Sequence, residues 1–257
     1  MGRKLARMRG LAGCVLLAAM LAGCGGIEPG RRIDSERVLN AIVADDVDYV
    51  HAAIKAGAVS PNQRIPAPGY REGTPLLTIA ARSASLNVLR YLVAAGADVN
   101  ARTPAHETAL MLASFFMEDG GFLGVPSYGR HEQAARLLVA AGADLEGAPH
   151  GYTALSYAAY QGRDRTVRFL LERGARVDGY VEDGIAYIPT PLMMAAMMGQ
   201  RTAALRLLRA GANARIRVNG GHTARELAVK HNQTHLAPLL ACAERLAPGE
   251  SFSRRCG

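Results

Sequence analysis

Few side chains in this 257-residue chain stand at spacings that do chemistry. Ser127 lies in Gly124-Val125-Pro126-Ser127-Tyr128-Gly129, one residue off the turn that lifts a nucleophilic hydroxyl between a strand and a helix. It sits in a Gly-rich loop and follows no strand pattern. His231 and His235 are four apart and could share a helix face as metal ligands do, but Asn232-Gln233-Thr234 between them supplies no acid, and Asn232 holds a turn position. His51, His106, His131, His150 and His222 are scattered, and no phosphate-binding loop occurs. The expectation is no catalytic residue, no metal site, no cofactor and no enzyme.

The elements that position these residues recur. A Thr opens a short apolar helix at Thr74-Pro75-Leu76, Thr108-Ala109-Leu110, Thr153-Ala154-Leu155, Thr190-Pro191-Leu192 and Thr223-Ala224-Arg225, with successive Thr residues 34, 45, 37 and 33 positions apart. Thr caps a helix by accepting from an orphan backbone N–H, and Pro fits the next position, where no N–H is needed. Gly-Ala closes a second helix at Gly57, Gly96, Gly142, Gly174 and Gly211, since Gly takes the left-handed conformation that ends one. In Thr153-Ala154-Leu155-Ser156-Tyr157-Ala158-Ala159 the alanines let helices approach closely, while Val167, Leu170 and Leu171 form a helical stripe. A period near 33 with insertions marks a stacked helical solenoid, and such solenoids bind other molecules.

This pattern resembles the ankyrin repeat, and Gly96-Ala97-Asp98-Val99-Asn100 matches the tail of its signature letter for letter. The resemblance implies an all-α solenoid of about six helix-pair units with β-hairpin-like fingers over residues 34–246. Units fall near 34–60, 74–100, 108–146, 153–178, 190–215 and 223–246, followed by a tail over 247–257. The first unit lacks the Thr opener; its stripes are Val38, Leu39, Ile42, Val43 and Val47, Val50, Ala53, Ile54, and it reads as the amino-terminal cap. The sixth, with Arg225, Glu226 and Lys230, reads as the polar carboxyl-terminal cap. The family's His after Thr-x-Leu is absent: Leu77, Met111, Ser156, Met193 and Glu226 stand there. That His bonds neighbouring turns, so this array is expected to lean on packing and to be modestly stable.

The first residues carry Arg3, Lys4, Arg7 and Arg9, then an apolar run from Leu11 to Ala22. Such a run is too short for a membrane span of about 20 residues and has the order of a secretory signal. Leu21-Ala22-Gly23-Cys24 looks like the lipobox of bacterial lipoproteins. That resemblance implies removal of residues 1–23, acylation of Cys24 and a tether over 24–33. With Gly25 where an Asp would retain the protein, it implies the periplasmic face of the outer membrane of a Gram-negative bacterium. An ordinary signal peptide is the alternative. Four of the 30 Lys and Arg leave with the signal, and 26 against 22 Asp and Glu gives a charge near +4, too mild to argue for nucleic acid. In an oxidising compartment Cys242 and Cys256 would form a disulfide across 13 intervening residues; two free thiols are the alternative.

Contact surfaces come from two sources. In ankyrin arrays the seventh and eighth residues after the Thr face the concave groove, which implies Ala81-Arg82, Phe115-Phe116, Tyr160-Gln161, Met197-Met198 and Lys230-His231 here. The middle three make an apolar, aromatic and Met-rich stripe suited to an adaptable protein contact, although the same residues could pack beneath neighbouring loops. Three insertions break the period: residues 60–73 with Tyr70 and Arg71, residues 117–130 with Phe122 and Tyr128, and residues 177–188 with Tyr180 and Tyr187. Long loops in a compact repeat are functional or are tolerated surface. The resemblance implies a protein partner in the periplasm, bound by a monomer. One such role is immunity against a toxic, lipase-type effector; an envelope scaffold is the alternative, and an enzyme the third.

Overall fold

The computed structural model describes residues 34–67, 70–115, 129–147, 151–219, 221–247 and 250–256. Helices α1 (Ser35–Val43) and α2 (Val47–Lys55) lead into the hairpin β1 (Arg64–Ala67) and β2 (Tyr70–Pro75). Pairs then follow as α3 (Leu76–Arg82) with α4 (Leu86–Ala94), α5 (Ala109–Phe115) with α6 (Arg130–Ala140), α7 (Ala154–Tyr160) with α8 (Asp164–Glu172), and α9 (Pro191–Met197) with α10 (Arg201–Arg209). Last come α11 (Ala224–Lys230), a 3-10 turn at Thr234–Leu236, α12 (Ala237–Glu244) and α13 (Phe252–Arg255). Helices α1, α3, α5, α7, α9 and α11 pack in that order as an inner row. An outer row runs α2, α4, α6, α8, α10, α13.

Why the inner helices are so short follows from what they bury. Each seven-residue inner helix from α3 to α9 is sealed along nearly its whole length, including Leu76–Ala81, Ala109–Ser114 and Ala158-Ala159. Alanines at zero exposure on the facing sides let the backbones of adjacent units approach closely. The outer helices keep one apolar stripe, such as Val88, Leu89 and Leu92 on α4, and turn their remaining faces to solvent. Removing apolar surface from water at about 25 cal/mol per Å² drives the stack, and each unit covers its neighbour's greasy side.

The outer-helix ends follow one hydrogen-bond pattern. Ala97 N–H donates to the Leu92 carbonyl and Gly96 N–H to that of Val93, with Gly96 at φ 83°, which is the Schellman stop. Ala143 on Leu138, Ala175 on Leu170 and Ala212 on Leu207 repeat it. The turn between the two helices of a unit also needs a left-handed residue. Asp45, Ala84, Gly162, Gly199 and Asn232 fill it, and Gly129 takes positive φ immediately before α6.

The Thr caps form at four of the five openers. Thr108, Thr153, Thr190 and Thr223 accept from the N–H groups of Met111, Ser156, Met193 and Glu226. Thr74 does not cap. It belongs to β2, where it pairs with Ile65, so the hairpin runs straight into α3 and Pro75 takes the capping position. The side chains standing in place of the family's His close the caps from the other side. Glu226 accepts from Thr223 N–H at 2.9 Å, and the sulfurs of Met111 and Met193 sit 3.4 Å from the N–H groups of Thr108 and Thr190. These positions therefore contribute polar contacts as well as packing.

Within the tail over 247–257 a short helix forms, α13, and Cys242 lies one helix earlier, on α12. His231 and His235 do not share a helix face: α11 ends at His231, the chain turns at Asn232 with φ 60°, and His235 sits in the 3-10 turn with Nε2–H on the Gly199 carbonyl.

Candidate functional site

The carboxyl ends of the inner helices bring part of the expected stripe together. Phe115 ends α5 half-buried and stacks across the unit boundary on Tyr160, which ends α7, with ring centroids 6.1 Å apart and planes at 27°. The same Phe115 meets the Tyr157 ring edge-on at 5.2 Å and 87°. Offset stacks and T-shaped pairs are the favoured aromatic geometries, so each ring holds the next in place. Met197 follows at the matching position of α9, half-buried against the core, and Met198 is 41% exposed. Lys230 and His231 are exposed at the end of the row.

Tyr157 and Tyr152 belong to this cluster, and sequence reasoning missed both. Tyr157 donates its hydroxyl to Glu107 Oε1 at 3.1 Å, and the 37%-exposed Tyr152 meets its ring edge-on at 6.0 Å. A helical signal existed: Tyr157 lies four residues after Thr153 and three before Tyr160, hence on one face. Glu107 gave none, because it sits in an irregular loop and its partner comes from the next unit.

Arg82 ends α3 half-buried, with its Nε shielded from solvent. Its carbonyl accepts from His131 Nε2–H at 3.0 Å, which fixes the His131 proton on Nε2, since a carbonyl can only accept. His131 is buried on α6. Desolvation first of all, and then the charges of Arg163 and Arg130, hold its pKa down at about 4 against the opposing pull of that carbonyl.

The fingers are placed as follows. Tyr70 and Arg71 lie on β2. Tyr180 is half-buried beneath the Arg176 guanidinium, 4.9 Å from its ring centre. Tyr187 is 49% exposed and bonds Glu182, next to strand β3 (Ile185–Ala186), which pairs in parallel with β4 (Arg217–Val218) of the following unit. Phe116, Phe122, Tyr128, Ser127 and Cys24 lie outside the described residues.

A ladder on the loop edge keeps these surfaces in register. Asn62 Oδ1 accepts from Asp98 N–H, Asn100 Oδ1 from Asp144 N–H, Glu146 Oε1 from Arg176 N–H and Asp178 Oδ1 from Asn213 N–H. Each rung joins one unit to the next. Burial pushes the carboxyls of Glu146 and Asp178 above their usual range, although the backbone donors pull the other way. On the opposite edge Asp45 accepts from the Asn87 and Val88 N–H groups and from Arg130 at 2.7 Å, tying three units together. Arg206 forks onto both oxygens of Asp164 at 2.6 and 2.7 Å.

Paired helices with Schellman stops are the architecture of ankyrin repeats, and the comparisons point the same way. Residues 72–104 match the family model of the ankyrin repeat, and residues 126–180 match a model described as ankyrin repeats in three copies. A putative ankyrin repeat-containing protein of Treponema pallidum (strain Nichols) is 42% identical over 90 residues, which are 35% of this chain and 29% of that relative. The match thus spans less than a third of the relative's own length. Residues 72–104 and 126–180 are thus similar to ankyrin repeats, which indicate a protein–protein interaction module and are typically non-enzymatic.

Proposed function

We propose that the chain captures a protein partner along the carboxyl ends of α5, α7 and α9. The observation that carries this is the Phe115–Tyr160 stack, continued by Met197 and Met198, running across three units at one register. Aromatic and Met side chains left half-exposed in a row supply area that binding can desolvate, and Met adapts to an irregular partner. Tyr187 and Ile185, both about half exposed, add further surface on the finger over residues 177–188.

Within this reading the chain is fastened by acyl groups on Cys24 to the outer membrane, facing the periplasm, and neutralises a toxic, lipase-type effector there. Leu21-Ala22-Gly23-Cys24 and the charged start support the anchor, and the Cys242–Cys256 disulfide suits an oxidising compartment. An envelope scaffold with several weak partners is the competing reading.

Co-purification from membranes separates the two, since neutralisation demands one stoichiometric partner. In that assay Tyr160→Ala and Met198→Ala should each weaken capture about tenfold or more while the thermal midpoint stays near the parent's. Unchanged affinity would move the contact to the fingers. Cys24→Ser should abolish palmitate labelling, and persistence of the label would remove the anchor.

A further inference from the structure

Charge is unevenly divided along the solenoid. Residues 191–257 carry ten Lys and Arg against three Asp and Glu, whereas residues 24–190 carry 16 against 19. The stretch over 191–257 is thus strongly basic and that over 24–190 mildly acidic.

Tertiary structure gathers much of that excess at one corner. Glu244, the last residue of α12, takes Arg225 Nε on its carboxylate at 2.7 Å and Arg215 Nε on its carbonyl at 2.8 Å. Arg245 follows it directly. Arg209 and Arg215 line a cavity of about 490 Å³ together with Leu246, Glu250 and Phe252. Phe252 is buried and α13 packs on α10, while the disulfide holds Cys256 against α12. The tail is thereby fixed with Arg254 and Arg255 on α13, which packs on α10, the helix that ends in Arg209. The three acids of this region are already engaged: Glu226 by Thr223 and Arg217, Glu244 by Thr223 and Arg225, Glu250 by the Ala247 N–H. Arg209, Arg245, Arg254 and Arg255 are exposed and make no ion pair among the described residues.

We propose that this arginine corner docks on an anionic phospholipid surface. Several exposed guanidinium groups near the carboxyl-terminal end suit a plane of phosphates, each bound by forked N–H donors. The acidic remainder of the array would be repelled by the same plane, so docking also fixes which end of the solenoid faces the lipid. The site is separate from the aromatic row and needs no acyl chain, so it stands or falls independently of the reading above.

The test is sedimentation of the full chain bearing Cys24→Ser with vesicles of phosphatidylcholine alone or mixed with phosphatidylglycerol. Binding should require the anionic lipid and disappear as salt shortens the range of the charges. The double variant Arg254→Glu/Arg255→Glu should bind the mixed vesicles about tenfold more weakly. Arg37→Glu/Arg165→Glu, an equal change of charge at exposed positions elsewhere, should bind as the parent does. Equal binding to both vesicles, no binding to either, or an equal loss in the control pair would overturn the proposal. So would stronger competition by soluble polyglutamate or DNA than by phosphatidylglycerol vesicles, which would assign the corner to a polyanion. Partner capture along the aromatic row should be the same in both double variants.

Discussion

Burial sets the protonation of His131, and that makes stability depend on pH. Its pKa is lowered in the fold, so the unfolded chain binds the proton more readily. The stability it contributes is complete above pH 6.5, declines as pH falls toward about 4 and is lost below. A fall from 6.5 to about 4 corresponds to roughly 3 kcal/mol. Urea melts of His131→Gln, whose amide can still donate to the Arg82 carbonyl, should show a shallower loss of stability over that window. A slope identical to the parent's would assign the pH dependence to other groups. Asp178 has the opposite sign: its raised pKa favours the protonated carboxyl, so its contribution is lost as pH rises through that value. Asp178→Asn keeps an oxygen for the Asn213 N–H and should melt at or above the parent at pH 7, with the difference closing in acid. Neither effect could be read from sequence, because both arise from burial by another unit.

At the scale of the helix the caps are the informative elements. Thr153 accepts from Ser156 N–H, whereas Thr74 Oγ1 is buried with no hydrogen-bond partner among the described residues. Thr153→Val should therefore cost about 1 kcal/mol, and Thr74→Val should be neutral or stabilising, since it removes an unsatisfied polar atom. Equal losses in a denaturant titration would mean that both hydroxyls act alike. The helices themselves were legible: Thr openers, Gly-Ala stops and apolar stripes each encode a local conformation, and the helices fall where those signals put them. The misread Thr74 has a physical reason. Its neighbours Ile65 and Arg64 are distant in the pattern that defines a repeat, and only strand pairing brings them alongside.

For the whole molecule, the ends decide stability, because interior units are covered on both sides and terminal units on one. At the carboxyl end α13 continues the outer row after α10 and seats Phe252 on the core, held by the Cys242–Cys256 disulfide. Reducing this bond, or substituting Cys256→Ser, should lower stability by about 3 kcal/mol in the chain-entropy picture. Hydrogen exchange should quicken first in α13, α12 and α11; uniform acceleration through α3 to α9 would mean that the staple supports the entire stack.

Sequence alone determined the repeating unit, because caps, stops and stripes are local and return with a period the chain itself displays. Through its resemblance to the ankyrin repeat it also pointed to Phe115, Tyr160 and Met197 as sharing one face. Tertiary structure alone decided which of their neighbours join them. Tyr157 reaches Glu107 across a unit boundary, burial on α6 holds the His131 pKa down at about 4, and α13 packs on α10 while a disulfide ties the tail to α12. Such facts depend on distances between residues far apart in the chain, and these are fixed only once the units stack.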